Sequence, residues 1–509
     1  LSLYLVVGFA LSWLASATGV FLFVKYRAGF TEVRYAHIVG LPFTLQDYRH
    51  AKGKFWLNRG MTDANEGRWR DAFDGLRQGL PLAPENEEAR MMLARIYLIA
   101  GRADMAGVVL VEGLAHRSDQ TEYLRTVIGF LFGQQADAQV IEVTQDLLEP
   151  GRLDGDARRM VAVSRVYALF NRDRFDEIPV ALRDLELDRS IEGRFIEARI
   201  AWETGAREAS VIMLKDLHQR APQEPEIYRT LIFYLRELGR VGEARRVALA
   251  RQWSFPQSAD GYVDYIALSR EAGELARQTE AQEAFLREFA KVPEALLALG
   301  VWAAKEGEAA LAWRVARLLP AKSPEAPRAI LLALEAELVR GGYQAALAEV
   351  EKAQTSGISW NGSEQMVLLG MQAAAQLGLG LTAEAQENLN RVMASPVMAS
   401  VNLVAVAAHV ARLDDRENAA NLLRRALELD PLYQPALVAL LKIELEKQTL
   451  ETSLAWVKRL PEMRKPPADL MRALVRNLES DRYLFLSERA EAIALLRARL
   501  NGVRQGARS

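Results

Sequence analysis

The sequence predicts an all-α chain, with an N-terminal transmembrane helix followed by an α–α superhelical solenoid of paired helices. Three observations predict it. Leu403, Val406, Ala407, Val410, Ala419, Leu423, Ala426 and Pro431 are spaced as one unit of a repeat about 34 residues long. Glycines recur near the middle of such units, at Gly67, Gly101, Gly205, Gly239, Gly307 and Gly341. The stretch from Leu1 to Val24 is apolar and carries no charge.

Residues 1–24 come first. A helix of that length extends about 36 Å, enough to cross a hydrocarbon core of about 30 Å. Lys25, Tyr26 and Arg27 follow as an interfacial anchor. Gly8, Ala10, Ser12, Ala15, Ser16, Ala17 and Gly19 are small enough to admit a second transmembrane helix. Two other readings compete. Ala15-Ser16-Ala17 matches the end of a secretory signal, but the apolar run continues past it. A buried helix of a water-soluble body is the second. Lys25, Arg27, Arg34, Arg49, Lys52 and Lys54 outnumber Glu32 and Asp47, which favours a cytoplasmic main domain. The chain begins with Leu rather than Met, so upstream residues are expected. A basic cluster among them would reverse the sidedness.

Residues 25–52 read as a juxtamembrane linker. Its apolar Gly40-Leu41-Pro42-Phe43 is expected to pack on the first repeat. Residues 53–461 read as the repeat array, opened by Trp56, Gly60, Ala72, Leu76, Gly79 and Pro84. Small residues let the two helices of a unit cross closely, and large apolar ones fill the space between neighbours. The mid-unit glycine permits a left-handed turn, and proline ends the second helix. Residues 115–190 are degenerate: a helix around Arg158 to Phe170 is placed, but no repeat frame. Residues 462–509 read as a cap and tail. Lys465-Pro466-Pro467 breaks the chain, an amphipathic helix follows from Tyr483 to Leu500, and the tail Gly502 to Ser509 is expected to fray.

Composition narrows the function. With 64 basic and 66 acidic residues the net charge is −2, so nothing draws the chain as a whole to nucleic acid. The absence of cysteine excludes disulfides, thiolate nucleophiles and cysteine-ligated metals. No phosphate-binding GxxxxGK[ST], HExxH or GxSxG pattern occurs. Gly378-Leu-Gly380 lacks the third glycine of a dinucleotide fingerprint and reads as a loop. His409 reads as a partly exposed packing histidine. Asp414-Asp415 and Glu87-Glu88 sit at turns and helix starts. No catalytic residue, cofactor, metal or small-molecule substrate is expected.

The repeat pattern resembles the tetratricopeptide repeat, a helix–turn–helix module. The resemblance implies a concave face built by the first helix of each unit, and protein partners bound there. It places Glu192, Phe195, Arg199, Trp202 and Glu203 on that face, followed by Glu226, Arg229, Phe233, Arg236 and Glu237. Phe195, Arg199, Trp202, Arg229, Phe233 and Arg236 are the candidate protein-binding residues. Aromatics supply buried area, and arginine supplies bidentate bonds to carboxylates. The competing reading has Phe195 and Trp202 packing on the neighbouring unit with the arginines solvated. The lysine/asparagine carboxylate clamp of chaperone-binding members is not found. The expected function is a non-catalytic scaffold at a bacterial inner membrane, serving assembly of an envelope or secretion-type complex. The alternative is a regulatory adaptor presenting a client protein to a membrane-associated protease or biosynthetic enzyme. An enzyme hidden in 115–190 is a third reading, against which the segment's shortness counts.

Overall fold

The computed structural model describes residues 2–41, 43–117 and 121–506. Among the described residues there is no strand. The chain divides into two compact bodies, Leu1–Arg172 and Asp173–Ser509.

The N-terminal body opens with α1 (Ser2–Leu22), which runs on through a π-turn to Arg27. A short α2 (Tyr35–Val39) doubles back beside it. Then α3 (Leu45–Asn65) pairs with the helix Trp69–Gly79. The first repeat helix thus starts before Gly53, inside the stretch read as linker. Of the apolar tetrapeptide there, Leu41 packs on a small cluster with Ala17, Val24, Val33, Ile38 and Ala51. Phe43 is 95% exposed, and Pro42 lies outside the described residues. Glu87–Ile99 pairs with Ala103–Glu112, and Thr121–Gly133 with Asp137–Leu147, before Gly155–Asn171 closes the body. The segment in which no frame was legible therefore holds ordinary paired helices.

In the C-terminal body the pairs follow one another from Ile191–Glu203 with Arg207–Arg220 to Ser400–Arg412 with Arg416–Leu429. Each first helix ends on a residue of positive φ. Gly205, Gly239, Gly273, Gly307 and Gly341 keep the ~34-residue step, and after a longer unit that ends at Gly380 the same step resumes with Asp414 and Gln448. The residue after Gly239, Gly273, Gly307, Gly341, Gly380 and Gln448 reaches back to the helix, as Arg240 N–H does to the Leu235 carbonyl at 2.8 Å and Thr449 N–H to that of Glu444 at 3.0 Å. That is the hydrogen bond of a Schellman ending, which satisfies a carbonyl the helix would otherwise orphan. Leu231, Leu235, Ala244 and Ala248 illustrate the packing: all four are fully buried. Each leucine contributes about 1.5–3 kcal/mol by leaving water.

The far end departs from the expected cap. After Gln434–Lys447 come short helical turns, then Ala468–Leu478 packed against Arg489–Gly506. The last helix begins at Arg489 rather than Tyr483, and Leu484 is exposed. That helix runs to Gly506, and 507–509 lie outside the described residues. This end also meets the start of the same body. Lys465 Nζ lies 2.5 Å from Asp173 Oδ1, and Arg499 Nη2 lies 2.7 Å from Asp173 Oδ2. The ammonium of Lys465 also stands 4.5 Å from the centre of the Phe175 ring.

His409 is buried rather than partly exposed, because its helix Ser400–Arg412 is covered on that side as well. Burial, with Arg412 adding to it, pushes its pKa down to about 4. The imidazole is neutral in the folded chain, while the unfolded chain takes up a proton near pH 6.5. Stability is therefore lost as pH falls below 6.5, by about 2 kcal/mol between pH 7 and pH 5. Glu335, 3.9 Å away and itself shifted upward by burial, works in the opposite direction. The expected result isolates the histidine: His409→Gln should lose that much less stability than the parent over this range in urea unfolding. Equal losses would show that His409 takes up no extra proton on unfolding.

Candidate partner-binding surface

The six candidate residues lie on two successive first helices, Ile191–Glu203 and Pro225–Glu237, and their fates differ. Phe195 is buried in the core between units. Trp202 is half-buried, its ring 3.8 Å from that of Tyr234 with the planes 3° apart. Arg207 covers it at 5.0 Å. Tyr234 is shut from water, which pushes its phenol up to about 12 against the pull of Arg199, which donates to its hydroxyl. Arg199 also stands 5.8 Å from the centre of the Phe195 ring. Phe195, Arg199 and Trp202 thus join one unit to the next.

The other three face outward. Phe233 is 53% exposed. Arg229, one turn earlier on the same face, is exposed and pairs with Glu226 at 3.0 Å. Arg236 donates across to Glu271 of the following unit at 2.8 Å. It belongs to a series of unit-to-unit ion pairs with Lys215–Glu243, Arg240–Glu208 and Arg245–Glu274. Hydrogen bonds from Arg240 and Lys215 hold the Glu243 carboxyl down at about 2. Exposed pairs of this kind add only about 0–1 kcal/mol each, so they set register more than stability.

Two features were not read from the sequence. Trp253, on a second helix, is 76% exposed. A groove of about 350 Å³ lies between the units that start at Ser400 and Gln434. Val404, Ala407 and Ala411 line its floor, with Arg412, Lys442 and Glu446 around it. Repeat spacing gives no hint of the groove, because it arises where small side chains of adjacent first helices leave space. In the region considered for hidden chemistry, a groove of about 470 Å³ holds one carboxylate, Asp146, beside Arg152. Among the described residues no group of three His, Asp or Glu side chains is arranged to hold a metal ion.

No protein-family model matches the sequence, and no curated protein matches it. Among solved structures the chain is similar to a tetratricopeptide repeat protein from Parabacteroides merdae at 17% identity and a TM-score of 0.28, over 50% of this chain and 98% of that one. It is similar to yeast Tom70 at 12% identity and a TM-score of 0.29, over 89% and 96%. The APC/C hetero-tetramer Cut9–Hcn1 gives 12% identity and a TM-score of 0.27, over 90% and 96%. At TM-scores this low the likeness carries no argument by itself. An α–α repeat array is seen in the chain's own helix pairs, their ~34-residue step and their left-handed turn residues.

Proposed function

We propose that the chain is a membrane-anchored, non-catalytic scaffold whose repeats bind protein partners during assembly of an envelope or secretion-type complex. Residues near the N-terminus hold it to the bilayer, and the row of first helices receives the partner on its concave side. One observation carries the reading: Phe233 stands half-exposed between Arg229 and Arg236 on the first-helix row. An aromatic flanked by arginines suits an acidic, partly apolar protein segment. The groove beside Arg412 and Lys442 extends the same chemistry along the array. The anchor is supported by the apolar helix near the N-terminus, whose span Val7–Arg27 is charged only at Lys25 and Arg27, has a mean hydropathy of 1.9 and is largely unburied.

The test is photocrosslinking in native membranes, with the reactive group at Phe233 and, separately, at Lys442. A single defined protein captured from Phe233 is expected, and Phe233→Glu should abolish its copurification. Recovery of a monodisperse chain with no adduct at either position would overturn the proposal.

A further inference from the structure

The chain that follows α1 does not simply leave the membrane. It folds back along α1 toward Trp13. The Trp13 indole donates to the Val39 carbonyl at 2.8 Å, and the Thr18 and Tyr35 hydroxyls are 2.8 Å apart. Phe21 meets Tyr35 edge-on, with centroids 5.4 Å apart. Along α1, Trp13 lies about 18 Å from Lys25. If the bilayer reached Lys25, Val39 would lie deep in hydrocarbon. Arg34, and the Asp47 and Arg49 that precede Ala51 on α3, would be drawn below the headgroups with it. Charged side chains at that depth are strongly disfavoured.

The tip of the fold-back is different in kind. From Tyr35 to Leu45 it carries no Asp, Glu, Lys or Arg, and the Nδ1 of His37 accepts the Arg34 backbone N–H. Five successive carbonyls there have donors. Ala36 accepts from Gly40 N–H, His37 from the Thr44 hydroxyl, and Ile38 from Leu41 N–H. Val39 accepts from Trp13, and Gly40 from the N–H groups of Phe43 and Thr44. Internal satisfaction of backbone groups is what hydrocarbon demands of a segment. Phe43, 95% exposed, and Leu45 are apolar side chains that the protein leaves open, as it does Trp13 and Tyr35.

We propose that residues 35–45 form a shallow membrane-inserted hairpin, and that the hydrocarbon boundary crosses α1 near Thr18 instead of at Lys25. The occupant of the apolar tip is the acyl region of a lipid bilayer. Tyr35, level with Thr18, sits at the interface as an aromatic belt residue, and Trp13 lies about 7.5 Å inside it, bonded to the tip. The segment of α1 from Thr18 to Arg27, with Arg34 and Asp47 beside it, lies among headgroups and water. From Ser2 to Ala17 the helix covers about 24 Å of the hydrocarbon core. This rests on the membrane anchorage proposed above.

The absence of cysteine makes the test direct. Leu11→Cys, Phe23→Cys, Tyr26→Cys and Phe43→Cys each place one thiol at a side chain the protein itself leaves exposed. Broken native membranes are treated with a charged maleimide that has access to both faces, before and after detergent. Labelling before detergent is expected at positions 23 and 26. Positions 11 and 43 should label only after it. Protection of 23, or labelling of 43, with 11 still protected, overturns the hairpin and leaves the anchor standing. Labelling of 11 before detergent, or loss of the segment that carries it, removes the anchor itself.

Discussion

Replacing Asp173 by asparagine is expected to destabilise the C-terminal body by about 3–5 kcal/mol. Both oxygens of this carboxylate are engaged, one by Lys465 and the other by Arg499, and Asp173 is only 9% exposed. The Lys465 ammonium is poorly solvated, and burial lowers its pKa while Asp173 and then Glu203 raise it again. Removing the anion leaves two partly buried cations facing each other across its place. Asparagine retains the shape and tolerates the left-handed backbone at this position, where φ is 59°, so the loss reports the charge and not the turn. The measurement is urea unfolding together with hydrogen exchange of the helix Arg489–Gly506, which should lose protection first. Lys465→Met in the Asp173→Asn background should recover part of the loss, and the non-additivity measures the coupling. A single variant within about 0.5 kcal/mol of the parent would mean that the cluster merely decorates the surface.

That contact marks where the sequence stops being informative. Asp173 and Lys465 are 292 positions apart, and no local spacing relates them. What periodicity conveys is local: which residues lie on a first helix, which are small, and where the chain turns. It failed in 115–190, where no glycine marks the turn between paired helices. Gln135 adopts φ 54° where Gly67 and Gly101 adopt 75° and 71°, so the pair Thr121–Gly133 and Asp137–Leu147 had no visible frame. Asp414 and Gln448 make the same turn unannounced, and the silent Gly273 lies on the row.

The candidate surface was legible in the same partial way. Spacing located Phe195, Trp202, Phe233 and Arg236 on first helices. It could not tell that Tyr234 would stack on Trp202, or that Glu271 would take Arg236, because each partner comes from the next unit and depends on how the units are rotated. The fold-back of α2 was invisible for another reason. Five residues are too few to display a helical period, and what holds them is Trp13 and Thr18 on another helix.

Where spacing and structure agree most closely, the second large effect is expected. At the crossing of α3 with Trp69–Gly79, Gly75 lies directly over Gly60. A Cβ on Gly75 would be 3.0 Å from the Gly60 Cα and 3.1 Å from the Trp56 carbonyl oxygen. Both are backbone atoms, which no rotamer change can move aside, so the helix axes must separate. Separation also loosens Leu57, Ala72 and Leu76, all buried at this crossing. Against this stands the benefit of removing a glycine from a helix interior, about 1 kcal/mol for alanine and less for β-branched valine. Gly75→Val should nonetheless destabilise the N-terminal body by about 3 kcal/mol, the upper end for overpacking, because the strained atoms cannot yield. Gly129 supplies the control. It is an exposed glycine within Thr121–Gly133, with nothing within 4 Å of an added Cβ. Gly129→Ala should therefore stabilise the same body by about 0.5–1 kcal/mol. Thermal or urea unfolding of the two variants, read in the N-terminal body, should move in opposite directions. If Gly75→Val unfolds like the parent, the helices are not in the close contact that small residues at the crossing were taken to permit.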